Sequence, residues 1–238
     1  MIDKRKFYID GKWVNPVIKN DFAVINPSNE KAYACISLGS KKDVDLAVNA
    51  AKRAFLKWSQ VDKKEKIILL QNLLKIYEDR WHEITQTMSD EMGAPLDWSS
   101  SAQTSSGADH IKDFILRLKN FEFEKKFNKE SNNYIVYEPI GVCGLITPWN
   151  WPINQITLKV IPAFVTGCTM ILKPSEIAPL SGMLFSEIVH EAGFPPGVFN
   201  LINGDGNGVG TDISSHKDID MISFTGSTRA GKLISKNA

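Results

Sequence analysis

The chain has 238 residues, 43% of them apolar, enough to bury one substantial core with a smaller unit beside it. Lys and Arg number 28 and Asp and Glu 27, for a net charge of +1, which excludes the positive field of a nucleic-acid binder; no apolar run approaches the ~20 residues of a membrane helix. Cys35, Cys143 and Cys168 show no close pairing, and the N-terminal MIDKRKFYIDGKW has no apolar signal core, so the expectation is a cytoplasmic protein without a disulfide framework.

In chain order, FYI and KWV flank Asp10-Gly11 as a hairpin, and FAVI and AYACISL flank the turn-like NPSNE. A helical block follows. Ser40 and Asp43 are spaced as a capping box, and Val44, Ala47, Val48, Ala51, Ala54, Phe55 and Trp58 keep one face apolar. The same period runs from Asp62 through Leu70, Leu73, Leu74, Tyr77, Trp81, Ile84 and Met88 until Gly93-Ala94-Pro95 stops it, which predicts continuous helix to Met92. These stripes read as core. Phe121 to Glu138 alternates apolar and polar residues on both sides of Asn132-Asn133, predicting a pair of strands that reaches out from the domain.

From Gly141 the pattern becomes strand, turn, helix, repeated. VCGLIT leads to a helix over about 152–166, TMILK to one over about 180–192, VFNLI to a short one over about 208–216, and MISFT to one beginning near Ser227. Four such units imply an α/β fold with a doubly wound, Rossmann-like parallel sheet, because parallel neighbours need long crossovers. The turns TPWNWP, KPSE, NGDGNGVG and GSTRAG then share the rim where open α/β sheets bind ligands.

Each turn alone has a plain alternative. Gly226-Ser227-Thr228 offers free N–H groups and a helix start suited to phosphate, and Gly204, Gly206, Gly208 and Gly210 admit a ligand close to the backbone, yet neither is a clean G-x-G-x-x-G and each could be an ordinary turn. GSTRAGK matches seven positions of a P-loop, but Leu233 stands where Mg²⁺ needs a hydroxyl. Lys173 and Glu176 could hydrogen-bond the two hydroxyls of a ribose, with the carboxylate repelling a 2′-phosphate and so favouring NAD over NADP; they could also be a solvated ion pair. Asn150, between Trp149 and Trp151, could be a helix N-cap. His82-Glu83 begins like a zinc-protease helix, but Gln86 replaces the second His and no catalytic metal is expected.

Taken in series, ITPWNWP, GCTMILKPSE, GFPPGVFNLINGDGNGVG and FTGSTRAGK, with the early FYIDGKWV, INPSNE and EMGAP, resemble the amino-terminal half of the NAD(P)-dependent aldehyde dehydrogenase superfamily. The resemblance implies a coenzyme-binding region over 1–238, with residues 123–140 directed to an oligomerisation sheet, a homodimer or homotetramer when complete, and an aldehyde as substrate. It makes Asn150 the amide that donates to the oxyanion of a cysteine adduct, a neutral donor with no proton to lose. It makes Ile146, Thr147, Pro148 and Trp149 the wall along the coenzyme, Lys173, Ser175 and Glu176 the adenosine-ribose contacts, Gly206 and Gly210 the glycines of the adenosine side, and Phe224, Thr225, Gly226 and Ser227 the nicotinamide and pyrophosphate neighbours.

The family's general-base glutamate and nucleophilic cysteine motifs are absent from these 238 residues, so residues 1–238 alone are expected to be inactive. Two alternatives stay open at this stage: a catalytically incomplete nucleotide-binding or assembly module, and a coenzyme-A-acylating relative.

Overall fold

The computed structural model describes residues 1–238. The chain opens with β1 (Ile2–Asp3), then β2 (Phe7–Ile9) and β3 (Lys12–Val14), an antiparallel hairpin closed by Asp10 at φ 53° and Gly11 at φ 74°. Two successive positive φ values give the twist that two-residue hairpins favour. β4 (Asp21–Asn26) and β5 (Lys31–Ser37) pair antiparallel, and β1 joins β5 in parallel.

α1 (Lys41–Trp58) carries the expected capping box between Ser40 and Asp43 and buries Val44, Ala47, Val48 and Ala51. The continuous helix expected to Met92 is instead two, α2 (Lys63–Asp79) and α3 (Trp81–Met92), broken at Arg80. The apolar stripe survives the break because both halves bury it, α2 against α5 and α7, α3 against α7 and β4. The Arg80 guanidinium holds the corner by pairing with Glu83 at 2.7 Å, Glu187 at 2.7 Å and Glu191 at 2.8 Å. Gly93, at φ 78°, ends α3 in the left-handed conformation that helix C-termini favour.

α4 (Leu96–Trp98) runs through a π-helical turn (Ser99–Thr104) into α5 (Ser105–Asn120). A Cβ on Gly107 would lie 2.2 Å from Tyr77 Oη and 2.6 Å from Ile153, so only glycine lets α5 approach this closely. β6 (Glu124–Lys126) and β7 (Tyr134–Val136) form the expected separate pair. Their connection spans 127–133, with its turn at Lys129-Glu130 rather than at Asn132-Asn133.

The second half alternates β8 (Val142–Ile146), α6 (Pro152–Thr166), β9 (Thr169–Lys173), α7 (Leu180–Glu191), β10 (Phe199–Leu201), a π-helical turn (Gly206–Gly210) with α8 (Thr211–Ser214), β11 (Met221–Phe224) and α9 (Thr228–Asn237). The central sheet has the order β11-β8-β9-β10-β2-β3, its first four strands parallel and the β2–β3 hairpin antiparallel at one edge. Every residue of β8 and β9 is buried, as expected for parallel strands covered on both faces. On one face α6 and α7 cover Leu145, Met170 and Leu172 in the larger core cluster. On the other, α1 and α8 cover Val142, Ile146 and Ile171. The sheet is thus doubly wound, as expected.

Candidate functional site

The chain steps from β8 to β9 to β10 in one direction and then returns to place β11 on the far side of β8. Such a reversal leaves a crevice at the carboxyl ends of the two diverging strands. Register makes the rim level: Phe224 pairs with Ile146, and Ile146 with Lys173. A cavity of about 150 Å³ opens there, lined by Ile146, Lys173, Gly206, Gly210 and Phe224 among others. Five residues singled out from the ends of β8, β9 and β11 and from the turn after β10 therefore meet around one space. A larger cavity, about 610 Å³, lies beside Lys4, Arg5 and Trp13 and contains none of the rim turns; Lys4 there is paired with Glu187 at 2.9 Å and Arg5 with Asp21 at 2.8 Å.

Lys173 is the most constrained of these groups. Its side chain is buried, and Nζ donates to the carbonyl oxygens of Gly204 at 2.6 Å and Pro174 at 3.0 Å. Glu176 Oε2 lies 3.7 Å from the ammonium and is partly exposed. Burial lowers the Lys173 pKa, opposed first by the charge of Glu176 and then by that of Asp205. Two of the three ammonium protons are thus spent on backbone, and the remaining direction faces the Glu176 carboxylate. Ser175 is buried, its Oγ accepting from the Ile177 N–H at 3.3 Å.

In the glycine turn, Asp205 caps the π-helical segment by accepting from the Gly208 N–H at 2.6 Å. No protein atom lies within 4 Å of a Cβ built on Gly206, so its open side is available to a ligand. The opposite holds at Gly226, where a Cβ would sit 2.5 Å from Phe224 Cζ; the ring closes over the turn because the side chain is absent. Thr225 N–H donates to the Ile146 carbonyl at 3.1 Å, and Ser227 is the N-cap of α9, accepting from the Ala230 N–H at 3.2 Å.

After β8, the Thr147 N–H donates to the Lys173 carbonyl at 3.2 Å, whereas its buried Oγ1 has no partner within the protein. A buried unpaired hydroxyl at a ligand rim calls for an external partner. Pro148 is half-buried and Trp149 is exposed. Asn150 is also exposed, and the N-cap position of α6 belongs to Trp151, with Pro152 in the first turn. Asn150 is therefore not spent on helix capping. Trp151 meets Trp98 edge-on, ring centroids 5.9 Å apart. Trp149 and Asn150 do not line the cavity that gathers Lys173 and the glycines; they lie in the turn after β8.

Sequence reasoning missed three contributors. Arg229 on α9 lines the cavity, Lys159 on α6 donates to Ser223 Oγ on β11 at 3.1 Å, and Glu91 on α3 binds the start of α7. Spacing gives no signal for side chains that reach a site from separate elements. The three cysteines are buried. Cys143 and Cys168 form a buried pair that shifts both thiols, Cys143 up and Cys168 down, the latter with help from the Thr166 hydroxyl. Both lie at the amino ends of β8 and β9, opposite the rim.

A sequence model of the "Aldehyde dehydrogenase family" matches residues 13–238. A 3-succinoylsemialdehyde-pyridine dehydrogenase from Pseudomonas sp. is 49% identical over 239 residues, covering 100% of this chain and 50% of that protein. An aldehyde dehydrogenase structure from Bartonella henselae is 56% identical with a TM-score of 0.99, covering 100% of this chain and 50% of that one. A mutant of aldehyde dehydrogenase C from Pseudomonas syringae, in complex with NAD+ and octanal, is 46% identical with a TM-score of 0.96, covering 98% and 48%. The chain spans about half the length of the curated relatives it matches. With the family's sequence pattern running from residue 13 to residue 238, through the helices and all four rim turns, the chain belongs to the aldehyde dehydrogenase family.

Proposed function

We propose that the complete polypeptide carrying this chain oxidises an aldehyde to a carboxylic acid with NAD, and that residues 1–238 form its coenzyme-binding region and supply the oxyanion donor Asn150. The observation that carries the reading is the convergence of Ile146, Lys173, Gly206, Gly210 and Phe224 on one cavity at the point where strand order reverses. The residues fit a dinucleotide: an open backbone at Gly206, an unpaired buried hydroxyl at Thr147, and a carboxylate at Glu176 for ribose hydroxyls. Two structural neighbours, from Pseudomonas syringae and Staphylococcus aureus, were solved in complex with NAD+.

Each residue has a task in this reading. Lys173, Ser175 and Glu176 contact the adenosine ribose; Gly206 and Gly210 admit the adenosine side; Ile146, Thr147, Pro148 and Trp149 wall the coenzyme; Phe224, Thr225, Gly226 and Ser227 neighbour the nicotinamide and pyrophosphate. Bound NAD supplies the hydride acceptor. Asn150 donates its amide N–H to the oxygen that gains charge when a thiolate adds to the aldehyde, which lowers the barrier. The thiolate comes from outside this chain, since none of Cys35, Cys143 and Cys168 reaches the rim. The β6–β7 pair leaves Tyr134 and Val136 exposed, which supports assembly of the complete protein into a dimer or tetramer through this element.

Calorimetric titration of the complete protein with NAD and NADP tests the coenzyme reading. NAD binding that exceeds NADP binding is expected; tighter NADP binding, or Mg-ATP binding without NAD, overturns it.

A further inference from the structure

Glu91, near the end of α3, is 1% exposed and enters no ion pair within the chain. A carboxylate buried without a cation persists only if hydrogen bonds replace its water. Glu91 takes all of its bonds from α7, some 90 residues later: the Leu180 N–H at 2.5 Å, the Ser181 N–H at 2.9 Å and the Ser181 hydroxyl. The N-cap position of α7 is Pro179, which has no side-chain acceptor. A side chain from another helix thus does the capping that α7 cannot do for itself, and its negative charge suits the positive end of the helix dipole.

The segment so anchored is the one that carries Ser175 and Glu176. Its first end leaves β9 at Lys173, pinned to Gly204 and Pro174. Within it, the Ala178 N–H donates to the Ser175 carbonyl at 3.2 Å and the Ile177 N–H to Ser175 Oγ at 3.3 Å. Its other end is held by Glu91. We propose that Glu91 is a positioning residue of the coenzyme site, fixing the Ser175–Glu176 turn through the start of α7 so that coenzyme affinity depends on a carboxylate that does not touch the coenzyme. The inference rests on the reading that the rim turns bind NAD.

The dependence is open to titration. Burial raises the Glu91 pKa to about 7, opposed by the hydrogen bonds from Ser181 and Leu180. Its charge is felt by Tyr33 on β5, whose hydroxyl donates to the adjacent Asp90 on α3 at 3.1 Å. Neither α7, β4 nor the π-helical turn packed on α3 brings a charged group to bear on it.

The test uses the complete polypeptide, with calorimetric NAD Kd measured on both sides of pH 7 and steady-state KM and kcat, for wild type, Glu91→Gln and Ser181→Ala. Glu91→Gln is expected to weaken NAD binding about tenfold, equivalent to ~1.4 kcal/mol, raising KM while leaving kcat at saturating NAD unchanged. Wild type should lose affinity as pH falls through about 7, and Glu91→Gln should not. Ser181→Ala should shift Kd in the same direction by less. A Glu91→Gln protein that is less heat-stable but keeps the wild-type Kd and pH profile overturns the proposal. If that variant does not fold, a flat wild-type pH profile with an unchanged Ser181→Ala Kd overturns it instead. Wild type that binds no NAD removes the rim reading as well, whereas NAD binding indifferent to Glu91 removes this inference alone.

Discussion

Lys173 Nζ donates to the Gly204 carbonyl at 2.6 Å, joining the end of β9 to the glycine turn after β10. One ammonium thus fixes the spacing of two rim turns and keeps Glu176 within 3.7 Å. Lys173→Met keeps the stem and removes the charge, leaving two carbonyls without their donor. Because burial already disfavours the ammonium, the stability loss is partly offset and should be about 1–3 kcal/mol. Coenzyme affinity should fall at least tenfold, since both turns lose their common tie. Urea unfolding and calorimetry on the same variant check the two halves; unchanged NAD affinity in a folded Lys173→Met protein removes Lys173 from the site.

Glu176 is the group that should discriminate between coenzymes. A carboxylate facing the ribose accepts from its hydroxyls and repels a 2′-phosphate. Glu176→Gln should reduce NAD affinity and improve the NADP-to-NAD affinity ratio by about tenfold, the scale of one charge-assisted contact. A ratio unchanged from wild type places the discrimination elsewhere.

Much of this arrangement is legible in sequence because it is local. Asp10-Gly11, the Ser40 and Asp43 box and the strand-to-helix turns after 146, 173 and 224 are all set by neighbours in the chain, and the observed elements fall where the patterns put them. The misses have a common physical origin. The break at Arg80 is stabilised by Glu187 and Glu191, more than 100 residues away, so the apolar period runs through it undisturbed. The helix over 96–120 starts in DWSSSAQTSSGA, which carries no apolar stripe, and is fixed by the contact of Gly107 with Tyr77 and Ile153. Arg229, Lys159 and Glu91 escaped for the same reason: tertiary contact alone brings them to the rim or its supports.

Glu91 also makes a stability prediction independent of coenzyme. Its folded pKa, about 7, lies above the 4.5 of a solvated glutamate. An acid with a raised folded pKa binds more protons in the native state, so its contribution is fully present below about 4.5 and is lost as pH rises through about 7. The loss across that window should be on the order of a few kcal/mol. Glu91→Gln cannot titrate and should flatten this part of the curve. Denaturant unfolding at several pH values compares the two proteins, and parallel curves contradict the assignment.

Asn150 should matter to chemistry and little to binding. It is exposed in the turn between β8 and α6, and the N-cap position of α6 belongs to Trp151. In the complete protein Asn150→Ala should slow the chemical step by about 10²–10³-fold, the usual effect of removing one oxyanion donor, with NAD affinity nearly intact. Single-turnover kinetics at saturating NAD separate the two, and undiminished turnover removes Asn150 from the mechanism.

The cysteines test whether the chemistry resides in this chain at all. Cys143 lies in β8 and Cys168 just before β9, both at the amino ends of strands whose carboxyl ends carry the coenzyme turns. Cys35 lies in β5, in a sheet that does not contribute a rim turn. The buried neighbour Cys143 lowers the Cys168 thiol, the direction a nucleophile requires. Its position decides against that role, because strand length keeps its sulfur from the rim on which Asn150 lies, and an oxyanion donor must sit within hydrogen-bond reach of the adduct that the nucleophile forms. Purified residues 1–238 should therefore bind NAD without reducing it in the presence of an aldehyde. In the complete protein, the Cys35→Ser, Cys143→Ser and Cys168→Ser combination should retain turnover. Absorbance of reduced coenzyme reads both experiments: turnover by residues 1–238, or its loss when Cys168 alone is replaced in a folded, NAD-binding protein, would move the nucleophile into this chain and overturn the division of labour proposed for it.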